Sequence, residues 1–202
     1  MGNELFLDIR RTGTIKISLE NKIWYANDYI LELLGYDLTE FITNRPKIVC
    51  DKDMPDIIHD EIGKAIMNFG EGVAVLKHKT KYGDYFWAFT HYKPVYKPDG
   101  SFEAFLTRRK PIPAKKVHGS AGLVKEKVER LYKVLKEIEQ YVSYKAAQKY
   151  LEGYLEDKGY ASLADFYMGL FDMKPAEIEQ YFSIDEKTPQ KVVKKFGGNY
   201  LR

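Results

Sequence analysis

The chain has 202 residues, 45% apolar, 30% charged and 14% aromatic, enough apolar surface to build a core and to exclude a disordered chain. Its 32 basic and 29 acidic side chains leave a net charge of +3, too small by itself to mark a nucleic-acid binder, and a single cysteine, Cys50, excludes an internal disulfide framework or a multi-cysteine metal site. No apolar run approaches the ~18–20 residues of a membrane span, and the acidic start is unlike a secretory signal, so a cytoplasmic protein without membrane insertion is expected. Residues 14–18 and 22–26 alternate and are rich in Ile, Trp and Tyr, which predicts two strands around the turn Glu20-Asn21. Asn27 or Asp28 caps a short helix carrying Tyr29, Ile30, Leu33 and Leu34, which Gly35 ends; residues 39–42 form a further helical turn. Pro55 opens a longer helix to about Phe69, with Asp53 as its cap, and Gly70-Glu71-Gly72 stops it. Three strands follow at 73–80, 85–96 and 102–108, separated by the turns Tyr82-Gly83-Asp84 and Pro98-Asp99-Gly100. This order predicts an α+β fold, a five-stranded antiparallel sheet with its helices on one face.

The run Arg108-Arg109-Lys110-Pro111-Ile112-Pro113-Ala114-Lys115-Lys116 has many cations and no periodicity, and reads as a connection. It divides the chain into a sheet domain at 1–111, a linker at 112–121 and an all-α extension at 122–202. Residues 1–110 hold 16 basic and 16 acidic side chains, so the positive excess lies C-terminally. Beyond the linker Val124, Val128, Leu131, Leu135, Ile138 and Val142 recur at alternating spacings of four and three, a seam suited either to a homodimer or to a helical bundle. Further helices are predicted at 144–157, 162–171 and 175–181, with Ser162 and Asp165 as a capping pair and Pro175 at a first turn. The end, 197–202, reads as a loose or docking tail.

Within the first half, Trp24-Tyr25-Ala26-Asn27, Leu34-Gly35-Tyr36, Asp53-Met54-Pro55, Lys81-Tyr82-Gly83-Asp84-Tyr85-Phe86-Trp87, Pro94 and Pro98-Asp99-Gly100 occur in that order. Over roughly residues 12–111 this set resembles a PAS sensor domain, and most closely the PAS domains of bacterial aerotaxis and energy-taxis receptors. The resemblance implies a pocket between the helices and the sheet, and FAD as its occupant. In that family Arg-His precedes Pro-Asp-Met-Pro, where this chain has Cys50-Asp51 before Lys52-Asp53-Met54-Pro55; a Trp is replaced by Gly72 and an Asn by His78. Asp51 puts an anion where a pyrophosphate takes a cation. Asp53 and Trp87 match family positions associated with the flavin pocket or its wall.

Three cofactor states stay open: FAD, haem b, or none. His59 lines up with Ile62 and Ile66 on an apolar helical stripe, and its distance to Gly70-Glu71 resembles that of the proximal histidine in haem-binding PAS oxygen sensors. The ordinary role of such a histidine is a satisfied core residue. His78 either bonds a pocket ligand or faces solvent, His91 shares a strand face with Trp87 and Phe89, and His118 sits in the linker. Cys50 is expected to be buried and inert. The candidate cofactor residues are therefore Asp53, His59, His78 and Trp87, with His59 as the iron ligand if haem is bound.

No phosphate loop, nucleophile elbow or His-Glu-x-x-His motif is present, so catalysis is not expected. The expected function is sensory: pocket chemistry reports redox state or oxygen, the last strand and the 108–116 segment shift, and the seam helix relays the change to a chemoreceptor or another protein partner. One alternative is a transcription regulator whose helices at 143–182 bind DNA, with phosphate contacts from Lys187, Lys191, Lys194, Lys195 and Arg202. The acids Glu152, Glu156, Asp157, Asp165, Asp172, Glu177 and Glu179 oppose it, so no nucleic-acid partner is expected. Another alternative is a cofactor-free PAS scaffold for protein–protein interaction.

Overall fold

The structure, a computed structural model, describes residues 2–113 and 121–183. His118, the tail 197–202, and Lys187, Lys191, Lys194, Lys195 and Arg202 lie outside the described residues. Strands β1 (Gly13–Ile17) and β2 (Ile23–Ala26) open the chain. Helix α1 (Asp28–Leu34) begins at Asn27, whose Oδ1 accepts from the Ile30 amide at 3.2 Å and from the Thr14 amide at 3.0 Å. The cap thus also ties the helix to β1. Gly35 ends α1 at φ 75°, a conformation that costs glycine little. Helix α2 (Leu38–Phe41), a 3-10 turn (Pro46–Val49) and helix α3 (Asp56–Met67) lead into β3 (Gly72–Lys79), β4 (Tyr85–Tyr96) and β5 (Phe102–Lys110). The strand order is β2-β1-β5-β4-β3, antiparallel throughout. This is the PAS-like sheet expected, with α1–α3 inserted between β2 and β3.

Both faces of the sheet are covered. On one face Ile15, Ile17, Phe86, Ala88 and Phe105 meet Ile30, Leu34 and Phe41 of α1 and α2, and Val49 of the 3-10 turn. The other face takes helices α4 (Ala121–Tyr141), α5 (Tyr144–Asp157), α6 (Leu163–Phe171) and α7 (Pro175–Phe182). Val73, Val75, Trp87 and Phe89 pack there with Val128, Leu131, Leu135, Phe171 and Phe182 in one apolar cluster. The Tyr132 hydroxyl donates to the Val75 carbonyl at 2.6 Å and also pairs with the Tyr167 hydroxyl, so buried polar groups close the helix–sheet contact. The all-α extension is therefore docked against the sheet.

Two expectations change accordingly. Val124, Val128, Leu131 and Leu135 are buried inside the chain against the sheet and the other helices, whereas Val142, the last residue of the predicted seam, is 71% exposed. Arg108, Arg109 and Lys110 are not linker: they finish β5, paired with β4 on one side and, for Arg108 and Arg109, with β1 on the other, and they are 4%, 4% and 0% exposed. Alternation sends Arg108 and Lys110 to the helical side and Arg109 to the side of α1–α3. Among the described residues no helix is long and apolar enough to cross a membrane.

Candidate functional site

Helix α3 sits beside the edge strand β3 and touches both halves of the molecule. Its cap is not Asp53, as expected, but Glu139 of α4, whose carboxylate accepts from the Asp56 amide at 3.0 Å and from the Ile57 amide at 2.8 Å. These are charge-assisted bonds to amides at the positive end of the helix. Lys136 stands 3.5 Å from Glu139 and 3.9 Å from Asp56, and the Tyr144 hydroxyl donates to Asp60 at 2.6 Å. Asp53 turns outward instead, where Lys77 holds its carboxylate at 2.9 Å and below the usual carboxylate range.

Behind α3, on the sheet face it covers, the chain gathers polar side chains. The Cys50 Sγ lies 4.0 Å from His59 Nδ1, and Cys50 is bridged through its backbone to His78. Burial pushes the Cys50 thiol up and the His59 imidazole down. His78 is held well below its ordinary value by burial, by the charge of Arg109 and by His59, against a hydrogen bond to the Val49 backbone. Arg109, on the same side, donates to the Thr107 hydroxyl at 3.0 Å. At neutral pH the imidazoles and the thiol are uncharged and Arg109, lowered by burial to about 10, is a cation. His59, His78 and Cys50 thus come together, and Arg109 joins them. Sequence inspection missed Arg109 because its run of three cations looked solvated.

Trp87 does not belong to this group. It pairs in register with Lys77, one residue from His78, and so faces α4, its ring centroid 6.0 Å from that of Tyr132. With Asp53 and Lys77 it lines an open cleft of about 440 Å³ on the far side of the sheet. The four residues expected to hold a cofactor therefore face two different spaces.

Neither implied cofactor fits this arrangement. Phe86, Phe105, Leu34, Ile30 and Phe41 fill the layer under α1 and α2, and the Phe86 ring lies 5.1 Å from His78. Tyr92, its hydroxyl raised by burial to about 12, lies over Gly72 so closely that a Cβ there would meet its oxygen at 2.4 Å. A flavin dinucleotide needs an open slot and a cationic pyrophosphate cradle, and a porphyrin needs a flat cleft beside its histidine; close-packed rings leave neither. His59 does supply the type of donor nitrogen that iron takes, and its buried Nε2 has no hydrogen-bond partner among the described residues.

A second charged group ties α7 to the sheet. Arg108 Nη2 lies 2.7 Å from His91 Nδ1 and 2.8 Å from Glu179, while His91 Nε2 is 2.7 Å from Glu71. Glu71, His91 and Glu179 have metal-ligand spacing, but the guanidinium already lies between the imidazole and the Glu179 carboxylate. Although burial opposes it, hydrogen bonds from Lys93 and Arg108 hold the Glu179 carboxyl at about 2. A depressed carboxyl stabilises the fold above its unfolded value and loses that contribution as pH falls through the folded one. With the Glu179 side chain 45% exposed, solvent screening reduces the expected contribution to ~1–2 kcal/mol. Urea midpoints should therefore fall between pH ~4.5 and ~2, and Glu179→Gln should flatten that limb.

No family model and no curated protein matches the chain. Among solved structures, the PAS domain of a protein from Colwellia psychrerythraea is 18% identical, with 49% of this chain and 84% of that one covered and a TM-score of 0.44. A light-oxygen-voltage domain studied with a flavin analogue is 18% identical, covering 59% and 84%, with a TM-score of 0.47. A cysteine-to-valine variant of the fungal photoreceptor VVD is 19% identical, covering 51% and 78%, with a TM-score of 0.46. The PAS-like fold itself rests on this chain's own strand order and on the helices between β2 and β3.

Proposed function

We propose that this chain is a cytoplasmic PAS-type sensory protein that responds to an occupant of the polar cluster behind α3 and relays it through α4–α7 to a protein partner. One observation carries this: the helix that bears His59 is capped by Glu139 of α4, a carboxylate whose side chain is 7% exposed. A movement of α3 must stretch these two bonds, each worth ~1.5–3 kcal/mol as charge-assisted bonds. The route differs from the expected one, because the end of β5 is fixed by Arg108 on Glu179 and by Lys110 on the Ile9 carbonyl at 3.1 Å. The resemblance to energy-taxis receptors supports a chemoreceptor or related signalling protein as partner, and redox state or oxygen as the ultimate stimulus. The misfit to flavin and haem favours a small ligand as the immediate one. Exposed Glu152, Glu156, Asp157, Asp165, Asp172 and Glu177 on α5–α7 favour a protein over nucleic acid, and binding over catalysis is the role proposed.

The relay is tested by a double-mutant cycle on the full chain, combining His78→Phe in the cluster with Glu139→Ala at the cap. Unfolding free energies from urea titrations should be non-additive by about 0.5–2 kcal/mol, because α3 connects the two sites. Strictly additive losses would show that the cluster and α4 do not communicate.

A further inference from the structure

An open groove of about 430 Å³ runs along α4 where α5 and α6 pack against it, away from the sheet. The almost fully buried Leu131 and Phe166 form its base, and the partly exposed rings of Tyr150, Tyr154 and Tyr160 its sides. Tyr150 and Tyr154 stand one turn apart on α5 with stacked rings, their centroids 6.4 Å apart. Tyr154 and Tyr160 each meet the Phe166 ring edge-on, at 5.8 and 5.5 Å. Gly159, at φ 76°, turns the chain after α5, and Tyr160 then lies over Gly169 of α6, where a Cβ would meet its ring at 2.6 Å. The hydroxyls of these three tyrosines have no hydrogen-bond partner among the described residues. Rings of this kind, apolar in body and polar at the tip, suit a surface that is covered by a partner.

The charge in the groove has one sign. Lys127, Arg130 and Lys158 line it, and among the described residues no carboxylate does. Lys127 enters no ion pair among those residues; Arg130 meets Glu126 only at 3.5 Å, and Lys158 meets Asp157 at 2.8 Å, both as largely exposed pairs of little worth. Positive charge around an apolar base complements a carboxylate-rich segment with one bulky apolar side chain. Glu126 and Asp157 bound the positive zone, so a long phosphate backbone would run into them where a few acidic residues would not. Resting on the sensory role proposed above, we propose that this groove receives a short acidic segment of the protein partner. Its carboxylates accept from Lys127, Arg130 and Lys158, and its apolar side chain enters between the tyrosines over Phe166. Glu139, the cap of α3, lies on the same helix as Lys127 and Arg130, so occupation of the groove and the position of α3 are read by one rigid element.

The probe is the peptide acetyl-Glu-Asp-Glu-Phe-Glu-Asp-amide, titrated at low ionic strength into the isotope-labelled full chain while amide and tyrosine-ring resonances are followed. Saturable shifts are expected at Lys127, Arg130, Tyr150, Tyr154 and Tyr160, and with them at the Asp56 and Ile57 amides. Binding should weaken about tenfold when Gln and Asn replace the acids of the peptide, and by a similar factor in a chain carrying both Lys127→Gln and Arg130→Gln. These two positions are exposed, so the urea midpoint of that variant should stay at the parent value. Absence of saturable shifts at millimolar peptide would overturn the assignment, as would equal binding of the uncharged peptide or undiminished binding in the double variant. Oligothymidylate bound at the same resonances as tightly as the peptide would replace the acidic segment by a nucleic acid, and shifts that grow with protein concentration alone would replace it by a second copy; either result overturns the proposal. Peptide binding that leaves Asp56 and Ile57 unmoved would uphold the groove and refute the relay. A non-additive His78–Glu139 cycle without peptide binding would do the reverse.

Discussion

Arg109→Met is expected to raise the stability of the ligand-free protein by about 1–3 kcal/mol, an unusual sign for a substitution at a 4%-exposed residue. The guanidinium is charged and buried, it lacks an acidic partner among the described residues, and its Nε has no acceptor. Methionine keeps an unbranched apolar stem of similar reach and removes the charge. The Thr107 hydroxyl loses Arg109 but still donates to the Ile15 carbonyl at 3.1 Å. Its neighbour in sequence supplies the control. Arg108 is as deeply buried but pairs with Glu179 and His91, so Arg108→Met leaves Glu179 with Lys93 alone, takes the partner from His91 Nδ1, and should destabilise by ~1–3 kcal/mol. Urea titrations of the two variants beside the parent chain decide it: opposite signs are expected, and a loss in both would mean that Arg109 is a structural residue satisfied in place. An unfavourable charge maintained in a core is the pattern expected where binding is served at the expense of stability.

Phe89→Ala is expected to cost about 3–5 kcal/mol and to loosen α6 and α7 before the rest of the sheet. Phe89 is fully buried on the helical side of β4, with ring centroids 4.8 Å from Phe171, 5.6 Å from Phe182 and 6.0 Å from Tyr181. Removing the ring leaves a cavity at the point where both helices meet the sheet, and neighbouring rings relax into it only partly. Hydrogen exchange by region should show protection falling first in Leu163–Phe171 and Pro175–Phe182, with β1 and α1 following only on global unfolding. Uniform loss across both faces would mean that the helices and sheet unfold as a single unit.

The sheet was legible because its signals are local. Turn residues at Gly83 and Gly100, the Asn27 cap and the terminating Gly35 all occupy the positions expected of them, and each acts within a few residues of its own place in the chain. Period two also placed Trp87, Phe89 and His91 on one face, as found. What it left undecided was which helices that face meets, and the hairpin register pairing Lys77 with Trp87 turns Trp87 away from His78. Arg108, Arg109 and Lys110 followed by Pro111 look like a solvated connection, because only tertiary partners such as Glu179 and the Ile9 carbonyl make such a run tolerable inside. The cap on α3 was beyond local inspection altogether. Glu139 is 83 residues from Asp56, and a nearby Asp53 offered a plausible substitute. The heptad spacing identified the buried stripe of α4 but not its partner, since sheet and coiled coil accept the same apolar side chains.

Amide hydrogen exchange at Asp56 and Ile57, the two donors to Glu139, tests the connection between the cluster and the C-terminal helices most directly. Comparing the parent chain with Arg109→Met, exchange at these amides and along α4 should change together by more than the change in global stability accounts for, while β2 remains as it was. If the response stops within β4 and β5, the cluster is mechanically isolated and the sensory role proposed for it is wrong.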